Sequence, residues 1–137
     1  MNASAPGKLF LVGEYAVLED GPALLVPVKQ RAKVTIEASN KSQVISHTTT
    51  LEKHSLEEAL QRYPLLKATM VELGCLEQLQ NAQLSLDTSA FFNRGIKLGL
   101  GSSAALTVAL VKLFQPDATA NERFAKAFRC HLALQNG

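Results

Sequence analysis

The chain has 137 residues, of which 47% are hydrophobic and 19% charged. That length suits one domain over residues 1–137, and a domain of this size buries roughly two thirds of the surface its unfolded chain exposes. The apolar share and a formal charge of +2 exclude a disordered chain, and they argue against a nucleic-acid or membrane binder, which carries a clustered cationic surplus. The longest strongly apolar stretch, residues 98–111, contains Gly, Ser and Thr and is too short to span a bilayer. The first residues lack the apolar run of a secretory signal. Cys75 and Cys130 read as free thiols of a cytoplasmic protein, since two distant cysteines make no disulfide framework.

In chain order, residues 8–12 are apolar and β-prone, and residues 13–21 read as a connection closed by the Asp20-Gly21 turn signal. Residues 23–28 form a second apolar run. Pro27 within it cannot donate to a ladder, which predicts an edge position or a bulge. Residues 33–38 alternate as a strand with one wet face does. Residues 39–42 read as a turn and residues 43–46 as the hairpin partner of the strand before it. Ser55 and Glu58 fit a capping box, in which each side chain satisfies the other's backbone N–H. Leu56, Ala59, Leu60 and Tyr63 follow at helical spacing. Pro64 ends or kinks that helix, and residues 65–73 suit a second helix closed by Gly74. Residues 83–87 alternate again.

Residues 101–114 are apolar almost all round, which predicts a buried helix. Thr119 and Glu122 repeat the capping-box pattern. Phe124, Phe128 and Leu132 then recur at i, i+4 and i+8, with Ala127 beside them, as in an amphipathic helix. Strands first and helices later give an α+β class, and no internal repeat is visible.

One motif stands out: Gly99-Leu100-Gly101-Ser102-Ser103-Ala104-Ala105, directly before a helix. Small residues let the backbone approach a ligand closely. The free N–H groups of a first helical turn, with the helix dipole, attract phosphate. Two serines there can bond phosphate oxygens or a magnesium ion. An ordinary Gly/Ser-rich helix start has the same composition. The P-loop pattern fails, because the only Gly-Lys is Gly7-Lys8, followed by Leu9. The dinucleotide fingerprint matches at Gly99, Gly101 and Ala104, with Asp117 near the position of the ribose acid. The stretch between Ser102 and Asp117 is too short for the helix, turn and second strand this fingerprint requires.

A second motif lies at residues 5–19: Ala5-Pro6-Gly7-Lys8, then Gly13-Glu14-Tyr15-Ala16-Val17-Leu18-Glu19. In this order the two motifs resemble those of the GHMP family of small-molecule kinases (galacto-, homoserine, mevalonate and phosphomevalonate kinases). The resemblance covers residues 5–38 and 94–114 and is weak between them. Gly13-Glu14-Tyr15 and Lys97 look most like the phosphomevalonate branch. The resemblance implies an N-terminal ATP-binding domain, a ribosomal-protein-like two-layer sandwich with a mixed sheet packed on helices. It implies ATP and Mg2+ as cofactors. Gly99, Leu100, Gly101, Ser102, Ser103 and Ala104 would hold the triphosphate, with Lys97 beside them and Ser103 as the magnesium contact. Lys8 would stand near the reacting hydroxyl or the γ-phosphate, offsetting the charge that develops in phosphoryl transfer. Glu14 and Tyr15 would lie on the substrate side. A solvated strand-end lysine is the plain alternative for Lys8, and surface or packing roles are the alternative for Glu14 and Tyr15.

Such kinases are about twice this length. They carry a third glycine-rich motif in a C-terminal domain, and many use a catalytic aspartate, which in mevalonate-type members follows a Gly-Ser-Gly-type stretch after the helix that here ends in residues 131–137. Neither feature occurs in these residues, and Asp20, Asp87 and Asp117 lie in other contexts. The expectation is therefore the N-terminal half of a kinase acting on mevalonate or phosphomevalonate, inactive alone. The alternative is a degenerate, non-catalytic domain that binds a nucleotide or a partner. An apolar face left open by a missing second domain would drive self-association or bind a complementing half. An RNA-binding role is a third reading, from the fold type alone. No metal site is expected from His47, His54 or Cys130-His131, which lack ligand spacing. Phe91-Phe92-Asn93-Arg94 reads as a core or edge-strand pair rather than a base-stacking platform.

Overall fold

The computed structural model describes residues 1–136. Five strands, β1 (Asn2–Val12), β2 (Leu24–Ala38), β3 (Gln43–His47), β4 (Leu51–Ser55) and β5 (Ala82–Asp87), form one sheet in the order β1-β2-β5-β3-β4. A separate hairpin joins β6 (Phe92–Asn93) to β7 (Ile96–Lys97). The β3–β5 pair is parallel and the other pairs of the sheet are antiparallel. Helices α1 (Leu56–Arg62), α2 (Pro64–Leu73), α3 (Ser102–Phe114) and α4 (Ala120–Asn136) complete the fold. α3 lies on β1 and β2, and α4 packs on α2 and α3. This is the expected α+β arrangement, a mixed sheet under helices.

The local signals act where the sequence places them. Ser55 accepts from the Glu58 N–H while the Glu58 carboxylate accepts from the Ser55 N–H. Pro64 occupies the first turn of α2, where its missing N–H costs nothing. Gly74 closes that helix at φ 64°. Thr119 and Glu122 make the second box ahead of α4. α3 buries Ala105, Ala109, Leu110, Val111, Leu113 and Phe114.

Three expectations need correction. First, residues 24–38 are one long strand rather than two runs. Pro27 sits on the half that pairs with β1 alone, beyond the reach of β5, and near it the β1 register shifts between Pro6 and Lys8. Pro27 is thus both at an edge and beside an irregularity, as its missing donor requires. Second, β3 does not pair with β2. Its hairpin partner is β4, and β5 inserts between β2 and β3. The insertion places Leu84 and Leu86 against Val34 and Val44 in the core. β5 supplies apolar residues to the core and hydrogen bonds to both sides, which the sparser 39–42 turn region cannot. β4 itself, Leu51-Glu52-Lys53-His54-Ser55, gives no apolar pattern because it is an outer strand. Third, the Phe124, Phe128 and Leu132 stripe is left uncovered, with Phe124 73% exposed. α4 faces the core through Ala127 and Cys130 instead.

Candidate functional site

The two motifs, some ninety residues apart in sequence, meet at one point of the fold. The Lys8 N–H on β1 donates to the Leu100 carbonyl at 2.8 Å. At Gly7, a Cβ would stand 2.5 Å from that same carbonyl oxygen and 2.5 Å from the Phe91 ring. Only glycine lets β1 and the loop approach so closely. Phe91 is fully buried and packs with Ala32, Ala105 and Leu100, forming the floor of the loop. Its carbonyl accepts from the Leu98 N–H at 2.9 Å, tying the loop back to the strand-end hairpin. That hairpin turns on Arg94 and Gly95, both at positive φ, as a tight two-residue turn between twisted strands requires.

The loop then bends through Gly99 at φ 69° and Gly101 at φ 73° and opens α3. Gly101 is the N-cap, and no side chain caps the first turn. The N–H groups of Ser102, Ser103 and Ala104 precede the first intrahelical bond, in which Ala105 N–H donates to Gly101 at 3.0 Å. They point outward at the positive end of the helix dipole. Ser102 is buried, whereas Ser103 is exposed and its hydroxyl has no hydrogen-bond partner among the described residues. The Lys8 stem crosses this turn: a Cβ on Gly101 would lie 3.2 Å from Lys8 Cε. Lys8 Nζ sits 4.2 Å from the centre of the Phe10 ring, two residues along the same strand face.

Among the described residues no carboxylate lies within 4 Å of Lys8 Nζ. An uncapped helix start, two left-handed glycines and an unpaired ammonium therefore converge. Such an arrangement is chemically suited to an anion with several oxygens, such as a phosphate.

The other predicted residues are placed differently. Lys97 is exposed on β7, at the base of the loop. Glu14 and Tyr15 lie past the free end of β1. Both are exposed, Tyr15 by 80%, and neither side chain makes a hydrogen bond among the described residues. Asp87 is engaged elsewhere. Burial pushes its carboxyl up, but the Ser89 hydroxyl at 2.6 Å and the Ser89 N–H at 2.9 Å, with His47 and Lys33 nearby, hold it net below the ordinary carboxylate value. Sequence reasoning missed two site residues. Phe10 carries the lysine, a pairing that an i, i+2 strand pattern can show. Phe91, read as core, is the floor on which Gly7 and the loop close. Among the described residues, no three His, Cys, Asp or Glu side chains gather as a metal cluster. No helix there is long and apolar enough to cross a membrane.

No protein-family model matches the chain. Among curated proteins, it is 32% identical over 139 residues to the mevalonate kinase of Methanothermobacter thermautotrophicus, an alignment covering 98% of this chain and 43% of that protein. It is 33% identical over 112 residues to the phosphomevalonate kinase of Saccharolobus solfataricus, covering 80% of this chain and 34% of the relative. Among solved structures, a Lin0012 protein from Listeria innocua superposes with a TM-score of 0.70 at 28% identity, over 99% of this chain and 42% of that one. Phosphomevalonate kinase of Streptococcus pneumoniae, in complex with phosphomevalonate and AMPPNP, shares the fold at a TM-score of 0.72 and 24% identity, over 93% of this chain and 41% of that one. The chain spans between about a third and two fifths of the length of the curated relatives it matches.

Proposed function

The chain belongs to the GHMP kinase family, among relatives named mevalonate and phosphomevalonate kinase, and on that premise we propose that it is the N-terminal, nucleotide-holding lobe of a kinase acting on mevalonate or phosphomevalonate. The observation that carries this reading is the convergence of Lys8 with the uncapped start of α3. ATP, when bound, supplies the phosphoryl group. The N–H groups of Ser102, Ser103 and Ala104 would bind its phosphate oxygens with little reorganisation, because Gly99 and Gly101 already hold the left-handed backbone the turn needs. Ser103, exposed and free, would contact Mg2+. Lys8, whose stem crosses the same turn, would supply a positive charge that stabilises charge growing on the transferred group. Phe10 limits where that ammonium can go. Lys97 would border the nucleotide, and Glu14 and Tyr15 would face the small-molecule acceptor.

None of the residues gathered at the loop is a base for the acceptor hydroxyl. A general base must come within about 3 Å of its proton, so turnover needs a group from the rest of the kinase. Binding and chemistry are thereby separable in this chain, and nucleotide binding without turnover is the second reading. The buried free thiols of Cys75 and Cys130 suit a reducing compartment such as the cytoplasm.

The test is calorimetric titration of the chain with AMPPNP, with and without Mg2+. Binding is expected, strengthened by Mg2+. Lys8→Met should weaken it, and Ser103→Ala should reduce the Mg2+ effect. A folded chain that takes up no nucleotide at millimolar concentration would end the kinase reading.

A further inference from the structure

Among the described residues, Lys8, Lys112 and Lys126 are the half-buried lysines. A half-buried ammonium loses water and needs acceptors in its place. Lys112 donates to the Ser4 carbonyl at 2.8 Å, and Lys126 donates to Gln115 Oε1 at 2.7 Å. Lys8 differs from both. None of the ion pairs among the described residues includes it, and its Nζ has no oxygen acceptor there. That Nζ lies instead 4.2 Å from the centre of the Phe10 ring. The negative face of an aromatic ring attracts a cation but carries no counter-charge.

Phe10 is half-buried, yet it joins none of the three apolar clusters of the fold. Packing the core is therefore not its task. The Lys8 stem, meanwhile, runs past the glycine loop: a Cβ on Gly101 would stand 3.4 Å from its Cγ and 3.2 Å from its Cε. The side chain is thus held twice, by its stem against the turn that opens α3 and by its ammonium over the ring. The start of α3 has no side-chain cap and carries the positive end of the helix dipole, which repels a cation until an anion arrives. A carboxylate at position 10 would relieve that repulsion, but it would occupy the ammonium and repel the anion. An aromatic ring relieves part of it and leaves the charge intact.

We propose that Phe10 is a positioning residue for Lys8: its ring holds the ammonium at the opening of α3 without neutralising it, so that an incoming phosphate meets a full and already oriented charge. The proposal rests on the phosphate-binding reading of the glycine loop and deepens it. A lysine side chain has many rotamers to give up when it grips an anion. A resting place beside the site lowers that cost before the ligand arrives.

The test uses the 137-residue chain and begins without ligand. The ring current of Phe10 should move the Lys8 ε-methylene protons upfield of those of an exposed lysine such as Lys53, with Lys8→Met identifying the signal. Phe10→Leu should abolish the upfield shift and Phe10→Tyr should keep it. Binding is then titrated by calorimetry at low ionic strength with two probes, inorganic triphosphate and AMPPNP, each with Mg2+. Phe10→Leu should weaken binding about threefold, the size of an exposed cation–π contact, and Phe10→Tyr should restore the parent affinity. Phe10→Glu should weaken it about tenfold or more, because its carboxylate pairs with Lys8 and opposes the anion. In the Lys8→Met background, Phe10→Leu should add nothing, since the ring acts only through the lysine. Circular dichroism checks each fold, and if Phe10→Glu does not fold, the contrast of Phe10→Leu with Phe10→Tyr still decides. The proposal is overturned if the upfield shift is absent, if Phe10→Leu binds as the parent does, or if it weakens binding equally with and without Lys8. A chain that binds AMPPNP with no coupling between positions 8 and 10 loses the role of Phe10 and keeps the kinase reading. A chain that shows the coupling with triphosphate but takes up no AMPPNP keeps the role of Phe10 and loses the nucleotide. Binding of neither probe overturns both.

Discussion

The two halves of β2 make different use of similar residues. Its far half, Lys33 to Ala38, is held between β1 and β5, and Val34 there is wholly buried under α2 and α3. Its near half has β1 on one side and nothing on the other. Leu24 and Leu25 stand 54% and 44% exposed, with Leu9, Leu11 and Val12 of β1 alongside. The difference is not composition. One half is closed by strands and helices of this chain, and the other borders the glycine loop. The closed half fixes the platform. The open half, with Lys8 and the glycine loop, leaves apolar side chains and an uncapped helix start exposed.

The comparison breaks first at the closed end. Leu84→Ala or Leu110→Ala should cost about 3 kcal/mol by urea unfolding, since each leaves a cavity in a packed core. Leu25→Ala should change stability by less than about 0.5 kcal/mol. Equal effects would mean that the two ends do not differ as described. Next come the glycines that join the ends. Gly7→Ala forces the loop off β1, and nucleotide binding should fall at least tenfold by titration, an effect on the order of 1.4 kcal/mol. Gly101→Ala should cost about 1–2 kcal/mol, because its φ of 73° is left-handed. A Gly7→Ala chain that binds nucleotide normally would show that the close approach is incidental.

Smaller effects sharpen the picture. Thr119→Ala removes the N-cap of α4 and should lower stability by about 1 kcal/mol, with the glycine-loop site unaffected in the nucleotide titration. The least expected effect concerns pH. The carboxyl of Asp87 is held below its ordinary value in the folded chain despite its partial burial, by Ser89 and then His47. Its ionised form is therefore favoured by folding. That contribution is complete above the unfolded carboxylate pKa and is lost as pH falls through that value toward the folded one. Asp87→Asn should flatten this acid limb in melting temperature measured against pH. An unchanged limb would assign acid sensitivity to other carboxylates.

The sequence by itself determined the helices, their ends and the two motifs. Ser55, Pro64, Gly74 and Thr119 act through neighbours three or four residues away, and such short-range bonds are visible in a string of letters. The chemistry suggested by Gly99, Gly101, Ser103 and Lys8 was legible as residue types. Their meeting was not. That Lys8 lies across Gly101, and that Gly7 must be bare because Leu100 and Phe91 press on it, follows only once β1 and α3 share one layer contact. The insertion of β5 between β2 and β3, the pairing of the polar strand β4, and the exposure of Phe124 and Phe128 were likewise decided by tertiary structure. Periodicity states that a residue wants burial or a strand wants a neighbour. Which neighbour it receives depends on contacts between residues far apart in the chain, whose free energies no local pattern contains.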